Sequence, residues 1–200
     1  MRLSAFEIGC VRGNRYIFQK LSFAVGAGQC LLVHGPNGAG KSTLLRVIAG
    51  LLPISSGRLN LEGGDTDQTL GEQAHYFGHQ DALKSSLSVR ENLSFWALYF
   101  GGVAEAVEKA LESVGLAPLS NLPAAHLSAG QRRRLSLARL LVSERPIWLL
   151  DEPTAALDTA AQDRLTELMR AHLGRGGIIV AATHGPIGLS DAQAIRLGAR

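Results

Sequence analysis

The stretch Gly35-Pro36-Asn37-Gly38-Ala39-Gly40-Lys41-Ser42-Thr43 decides the fold of this chain. It matches the phosphate-loop pattern G-x-x-x-x-G-K-S/T at every fixed position. An apolar run at 30–33 leads into it, and a helical pattern at 44–48 follows it and stops at Gly50. The motif requires a strand, a glycine-rich loop and a helix in this order. The local sequence therefore predicts a strand–loop–helix unit.

The chemistry of this stretch points to a nucleotide. Its glycines allow the backbone to curl until successive N–H groups face one concavity at a helix N-terminus, where an anion is stabilised. Lys41 is expected to reach the terminal phosphates, and the hydroxyl of Ser42 to bind Mg²⁺. We therefore predict that residues 35–43 bind a nucleoside triphosphate.

Composition limits the class of protein. The 200 residues suit one domain, or a domain with an inserted subdomain. A formal net charge of +3 is too weak to predict a nucleic-acid partner. The tight basic run at 132–134 is expected to be solvated and to add to the positive field on the phosphate side, with contact to lipid as the alternative. No apolar run approaches the ~20 residues of a membrane span, and the N-terminus lacks the apolar core of a secretory signal. Cys10 and Cys30 are expected to be buried free thiols, so we predict a cytoplasmic protein.

Alternation and short apolar runs predict the strands. The predicted strands are 3–10, 15–25, 30–33, 58–61, 74–79, 147–150, 178–182 and 194–197. The first two are expected to form an antiparallel hairpin ahead of the phosphate loop. The runs at 147–150 and 178–182 are apolar at every residue, which is typical of strands buried on both faces of a parallel sheet.

Helical patterns cluster between two groups of strands. Ser88 with Glu91 is a capping box that opens a helix to about residue 100, and a second helix is predicted at 103–114. Ser128 with Gln131 is a second capping box, which opens a helix through Leu141. We predict an α/β fold with a core of about 1–81 and 141–200, and an inserted helical subdomain of about 82–140.

Polar residues follow several of the predicted strands, at the edge where open α/β sheets bind ligands. Gln80, Asp151, Glu152 and His184 are expected to lie with the phosphate loop in one crevice. Asp151 suits an outer partner of Mg²⁺, and Glu152 is placed to orient a water against the terminal phosphate. Gln80 is a candidate ligand for the metal or the water, and His184 a candidate contact to the terminal phosphate.

Ser128 begins a second helix with a glycine, Gly130, close by. The inserted subdomain should carry it away from its own phosphate loop. Two copies related by a twofold axis would place Ser128, Gly130 and Gln131 of each copy against the other copy's nucleotide. We therefore predict a homodimer with two composite sites.

The motifs together resemble the full set of an ABC-transporter ATPase. They are residues 35–42, Gln80, 127–131, 147–152, 156–158 and His184, in this order. The resemblance implies a RecA-like P-loop NTPase core with an antiparallel β subdomain and an inserted helical subdomain that carries the signature at 127–131. It also implies ATP hydrolysis by an ATP-sandwich dimer that drives a membrane partner.

Two positions depart from the family pattern. Ala129 stands where the signature usually has a glycine. The aromatic residue that stacks on adenine in the family aligns with Arg12, while Tyr16 lies four residues later. The sequence leaves open which of these two contacts the base.

Finer segments are similar to one branch, the haem exporter ATPases of bacterial cytochrome c maturation. These segments are 76–79, 83–84 and 91–96. The branch implies integral membrane permease subunits as partners and a peripheral position on the cytoplasmic face of the inner membrane. ATP hydrolysis would serve haem export or release of a haem-loaded periplasmic chaperone. An exporter of lipids, drugs or peptides is the alternative. A soluble ABC machine on DNA or ribosomes is disfavoured, because the chain has no coiled-coil or zinc insertion and no second cassette.

Two groups of residues bear on partners. His75 and His79, four apart on one predicted strand, would lie ~13 Å apart, too far to ligate one metal, so haem is not expected to bind directly. The helix at 88–100 carries a wide aromatic stripe. Its members are Phe95, Trp96, Tyr99 and Phe100. We expect most of them to pack in a core, and one or two to face a membrane subunit.

Overall fold

The computed structural model describes residues 1–198, which form two compact units. The first, here called the core unit, comprises Met1–Gly78, Arg145–Pro153 and the chain from Leu168 onward. The second, the helical unit, comprises His79–Glu144 and Thr154–Glu167. The segment 154–167 thus groups with the helices, whereas the sequence pattern assigned it to the core.

The described residues contain eight strands and five α-helices. The strands are β1 (Arg2–Arg12), β2 (Arg15–Gly26), β3 (Cys30–His34), β4 (Ser56–Glu62), β5 (Ala74–Phe77), β6 (Ile147–Asp151), β7 (Ile178–Ala182) and β8 (Gln193–Arg196). The helices are α1 (Lys41–Ile48), α2 (Val89–Tyr99), α3 (Ala104–Ser113), α4 (Ala129–Ala138) and α5 (Thr159–Gly174). Short 3₁₀ turns lie at Ala117–Leu119, Ala124–His126 and Arg139–Leu141. Within these described residues, no helix is both long and apolar enough to cross a bilayer.

Two sheets build the core unit. The first is antiparallel with the order β2-β1-β4, so the predicted hairpin is confirmed and β4 is an edge strand. The second is parallel with the order β5-β6-β7-β3-β8. Every residue of β6 and β7 is buried, which explains why their sequences are continuously apolar.

One hydrophobic cluster joins both sheets to α1. It includes residues of β1, β3, β6 and β7, and the buried face of α1 supplies Leu44, Leu45, Val47 and Ile48. These four recur with helical spacing, so a single face of α1 is apolar and packs inward. The cluster fixes the helix that follows the phosphate loop. Cys10 and Cys30 are buried free thiols, as predicted.

The helical unit has its own hydrophobic cluster, built from α2, α3, α4 and the 3₁₀ turns. Leu93, Leu111 and Leu135 are among its fully buried members. Both predicted capping boxes are present, at Ser88 with Glu91 and at Ser128 with Gln131. α4 ends at Ala138, and the predicted continuation to Leu141 is a 3₁₀ turn.

The prediction of solvated charge for residues 132–134 is wrong for Arg133, whereas Arg132 and Arg134 are partly exposed. Arg133 is only 4% exposed, and all three guanidinium groups donate to groups within the helical unit. Arg132 donates to Leu127 O at 2.8 Å, and Arg134 to Val114 O at 3.1 Å. Arg133 lies 3.5 Å from the Asp81 carboxylate. Carbonyls at helix ends need donors, and a long guanidinium supplies several, so these arginines are structural.

One further expectation needs correction, and a second holds only in part, because two aromatic residues of α2 are exposed as expected but only two, and not most, pack in the core. β5 ends at Phe77, so His79 does not share a strand with His75, and the distance derived for that pair does not apply. The aromatic stripe of α2 is divided evenly. Phe95 and Tyr99 are 55% and 69% exposed, whereas Trp96 and Phe100 pack against the cluster of the helical unit.

Candidate active site

Three neighbouring strands bring the candidate residues of the core unit together. In the parallel sheet β7 lies between β6 and β3. The phosphate loop follows β3, Asp151 ends β6 with Glu152 next to it, and His184 follows β7 after one residue. Because parallel strands end at the same edge of a sheet, these groups share one edge.

The phosphate loop has a backbone that requires glycine at two points. Gly35 has φ 147°, and a Cβ there would lie 2.6 Å from Leu197 O. Gly40 has φ 100°, and a Cβ there would lie 2.5 Å from Ile17 Cγ2. Gly40 also occupies the N-cap position of α1 and has no side chain with which to cap it. The first N–H groups of α1 therefore suit an anionic ligand.

The side chains of Lys41 and His184 meet beside this loop. Lys41 Nζ donates to Gly35 O at 2.9 Å and to Pro36 O at 3.3 Å. It also lies 2.9 Å from His184 Nε2, which accepts when that nitrogen is unprotonated. The same Nε2 is 2.9 Å from Asn37 Oδ1 and 3.6 Å from Glu152 Oε1. The side chains of Lys41 and Glu152 thus both approach the same nitrogen of His184.

Ser42 and Asp151 form the second pair of the site. Ser42 Oγ donates to Asp151 Oδ1 at 3.0 Å, and Asp151 is only 3% exposed. Glu152 has φ 48°, an uncommon value for a non-glycine residue, and its N–H donates to Ala182 O at 2.9 Å. The hydroxyl and carboxylate oxygens of Ser42 and Asp151 are the ligand types that Mg²⁺ prefers, so the donor set fits this metal.

Two side chains at this edge were not predicted from the sequence. Tyr76 of β5 donates from its hydroxyl to Asp151 Oδ2 at 3.5 Å, and Arg46 Nε of α1 donates to the Tyr76 hydroxyl at 3.3 Å. Burial raises the pKa of Tyr76, and the hydrogen bond to Tyr76 raises the pKa of Arg46. A tyrosine in a short, mostly buried strand was the available signal, but the sequence does not show that β5 lies next to β6.

Comparison with known proteins decides the family. The ABC transporter family matches residues 18–155 of the chain. The chain belongs to the ABC transporter family. It is an ABC ATPase subunit, and ATP is its nucleotide.

Named relatives are similar to this chain over almost its whole length. A protein of Nitrobacter winogradskyi is 55% identical over 99% of this chain and 98% of its own length. One of Bradyrhizobium diazoefficiens is 56% identical over the same shares of the two chains. Both are named cytochrome c biogenesis ATP-binding export protein CcmA.

Solved structures agree in fold. An ATP-binding subunit of an ABC transporter superposes with a TM-score of 0.87 at 23% identity, covering 98% of this chain and 86% of that one. A dimeric ATP-binding cassette bound to ADP and phosphate gives a TM-score of 0.81 at 23% identity, over 98% and 94%. The predicted fold, a P-loop ABC ATPase with a parallel and an antiparallel sheet, is confirmed.

The remaining ABC motif residues lie in the helical unit. Gln80 is exposed, just after β5. Ser128 Oγ accepts from Gln131 N at 3.2 Å, and Gln131 Oε1 accepts from Ser128 N at 2.8 Å. A Cβ at Gly130 would lie 3.3 Å from Ala156 O, so the signature approaches the chain just before α5.

The two candidates for the base contact lie beside the turn of the first hairpin. Arg12 pairs with Arg15, and Tyr16 pairs with Val11 across the same turn. Arg12 and Tyr16 are both exposed. Either side chain is therefore accessible to a nucleotide base.

Proposed function

We propose that this ABC ATPase hydrolyses Mg²⁺-bound ATP at the shared edge of β3, β7 and β6, and that hydrolysis drives a membrane complex of cytochrome c maturation. The observation that carries the proposal is identity of about 55% to the cytochrome c biogenesis relatives over almost the whole of both chains. The convergence of Lys41, Asp151, Glu152 and His184 supports the chemical part.

The phosphate loop would bind the terminal phosphates through backbone N–H groups and through Lys41. Lys41 Nζ now donates to two carbonyls of the loop itself, Gly35 O and Pro36 O. A phosphate oxygen is a stronger, charged acceptor and would replace those carbonyls. Thr43, at the third position of α1, would complete the binding stretch of residues 35–43.

Ser42 and Asp151 would hold Mg²⁺ between the protein and the phosphates, with Gln80 as a further ligand. The ion, when bound, neutralises charge that develops on the phosphates. Ser42 keeps its proton directed to Asp151 Oδ1, which leaves a lone pair of Oγ for the ion.

Glu152 would orient and polarise the attacking water. Its carboxylate lies at the edge of the sheet beside His184, and its backbone is held by Ala182 O. His184 would contact the terminal phosphate through Nε2, the nitrogen that now faces Lys41. A general base of this kind contributes roughly 10²–10⁴ in rate.

A second copy of the chain would complete each site with Ser128, Gly130 and Gln131. α4 has no acidic residue in its first turn, and its capping box uses a neutral glutamine where α2 uses Glu91. A neutral cap keeps the positive end of the helix dipole available to a phosphate. The chain would thus act as a homodimer with composite ATP sites.

The membrane partner would be an integral permease that places the dimer on the cytoplasmic face of the inner membrane. The exposed face of α2 supports a docking surface, because Phe95, Leu98 and Tyr99 are 55%, 82% and 69% exposed. Apolar patches of this kind on a folded protein commonly mark interaction sites. Neither haem nor nucleic acid is proposed as a direct ligand.

The biological assignment is tested in cells in which the only copy carries Lys41→Ala. These cells should lack haem-stained c-type cytochromes but keep b-type cytochromes, and haem should accumulate on the periplasmic chaperone. Lys109→Ala, which removes an exposed lysine of α3, is the matched control and should behave as native. Normal c-type bands in Lys41→Ala cells would assign the chain to another exporter.

A further inference from the structure

The buried carboxylate of Asp151 has a different donor at each oxygen. Ser42 Oγ donates to Oδ1 at 3.0 Å, and the Tyr76 hydroxyl donates to Oδ2 at 3.5 Å. Asp151 is 3% exposed, so solvent contributes little to its orientation. The rotation of this carboxylate is therefore determined by the protein groups around it.

Chemistry fixes the direction of the hydrogen bonds through Tyr76. Arg46 Nε lies 3.3 Å from the Tyr76 hydroxyl, and a guanidinium can only donate. An ionised carboxylate can only accept. The single hydroxyl proton must therefore point to Asp151 Oδ2, and Arg46 orients Tyr76 as Tyr76 orients Asp151.

The fold also confines the tyrosine ring. Tyr76 packs against the hydrophobic cluster of the core unit and pairs with Leu149 of β6. A Cβ at Gly78 would lie 3.0 Å from Cε1 and 3.2 Å from both Cζ and the hydroxyl oxygen of Tyr76. Glycine at 78 thus leaves the space that the ring occupies, and the hydroxyl has little freedom to move.

We propose that Tyr76 is a positioning residue for the metal–nucleotide site. It holds the Asp151 carboxylate in the orientation in which Oδ1 accepts the hydrogen bond from Ser42 Oγ. Arg46 of α1 in turn holds the Tyr76 hydroxyl by donating to it. Groups that orient a metal-binding carboxylate raise metal affinity because the ligand set does not have to be reorganised. The inference rests on the proposed assignment of Ser42 and Asp151 to Mg²⁺.

The test compares metal-dependent with metal-independent nucleotide binding in the full chain. Tyr76→Phe keeps the ring and removes only the hydroxyl. Mn²⁺ affinity is measured by electron paramagnetic resonance at saturating ADP, and ADP affinity by calorimetry in EDTA. We expect Mn²⁺ affinity to fall roughly ten- to a hundredfold, because a group that orients a direct ligand is lost. ADP affinity in EDTA should stay within about twofold of native, since that measurement contains no metal to orient.

A matched control removes the same atom elsewhere. Tyr99→Phe lies on the exposed face of α2 and should leave both affinities unchanged. Arg46→Met keeps Tyr76 but removes its donor, and should weaken Mn²⁺ binding in the same direction by a smaller factor. This second variant decides the question if Tyr76→Phe does not fold.

Two results would overturn the inference. Folded Tyr76→Phe with native Mn²⁺ affinity would show that the hydroxyl does not position Asp151. An equal fall of ADP affinity with and without metal would assign Tyr76 a general structural role. If the native chain itself fails to bind Mn²⁺ with ADP, the proposed metal site fails together with this inference, and the outcomes are thus distinguishable.

Discussion

The helices α1 and α4 both begin at a candidate anion site, but their first turns differ in construction. α1 starts after Gly40, which has φ 100° and no side chain to offer as a cap. α4 starts after Ser128, whose hydroxyl and N–H exchange hydrogen bonds with Gln131. The first start leaves its donors for a ligand, whereas the second satisfies two of its donors, the N–H groups of Ser128 and Gln131, within its own capping box.

A second comparison isolates the charge of the cap. α2 and α4 have the same capping box, with Ser88 and Glu91 in α2 and Ser128 and Gln131 in α4. Glu91 places a negative charge at the start of α2, and its hydrogen bonds to Ser88 hold the pKa of its carboxyl below the ordinary value. The capping box of α4 has the same hydrogen bonds but a neutral residue, so no negative charge at the start of α4 repels a phosphate. The chain therefore contains its own control for the proposed role of the signature.

The largest effect is expected from Gln131→Glu, which makes the cap of α4 resemble that of α2. The fold should keep its stability, because glutamate forms the same box in α2. ATP hydrolysis by the membrane complex should fall more than roughly a hundredfold, since like charges at an interface cost several kcal/mol. Steady-state ATPase assays and urea unfolding measure the two quantities. The reciprocal control Glu91→Gln should leave hydrolysis native, and equal losses in both variants would contradict the account.

Alanine at the two glycines compares the helix starts directly. Gly40→Ala should weaken nucleotide binding roughly ten- to a hundredfold, because its positive φ costs a non-glycine residue about 1–3 kcal/mol. Gly130 has more room, since an added Cβ would lie 3.3 Å from Ala156 O, so Gly130→Ala should bind nucleotide as the native chain does. Calorimetric titration of each isolated variant with ATP measures both. Similar losses in the two would remove the distinction between the helix starts.

A smaller effect separates capping from ligand binding. Ser128→Ala and Ser88→Ala each remove a capping hydroxyl and should each cost about 1 kcal/mol of unfolding free energy. Only Ser128→Ala should also slow hydrolysis by the complex, because Ser88 is not proposed to meet a nucleotide. Denaturant melts and ATPase rates, measured side by side, test this. If Ser128 only capped α4, the two variants would have the same ATPase rate, and this result would contradict its proposed contact with the nucleotide.

The smallest effect is expected at the base end of the nucleotide. A guanidinium that stacks on a base contributes about 0.5–2 kcal/mol and does not read the base edge. Arg12→Ala should therefore weaken ATP and GTP by similar factors, and the native KM values for the two should lie within roughly tenfold. Tyr16→Ala should change little. A larger loss of affinity in Tyr16→Ala than in Arg12→Ala would make Tyr16 the stacking residue.

Local patterns predicted much of this fold from the sequence. The continuous apolar runs of β6 and β7 indicated strands buried on both faces, and both are buried at every residue. Both capping boxes were predicted because the residues that exchange hydrogen bonds lie three apart in the sequence. Such features depend on neighbouring residues alone.

Features that depend on distant partners were not predicted. Tyr76 contacts Asp151 only because β5 lies beside β6, and strand order is not visible in a local pattern. Arg133 is buried because Asp81 and carbonyls of other segments lie within reach of its long side chain. A run of three arginines cannot indicate that environment. The proposed composite site needs a second copy, and no pattern within one chain shows how two copies meet, so the roles of Ser128, Gly130 and Gln131 stay predictions.

Light scattering of the Glu152→Gln chain with Mg²⁺ and ATP tests the central claim, that two copies close around ATP. Glutamine cannot act as the base, so bound ATP should persist and the measured mass should rise to twice that of one chain. Adding Lys41→Ala or Gln131→Glu to this variant should return the mass to that of one chain. A mass that stays at one chain with ATP bound, or a dimer that survives Gln131→Glu, would contradict the composite site.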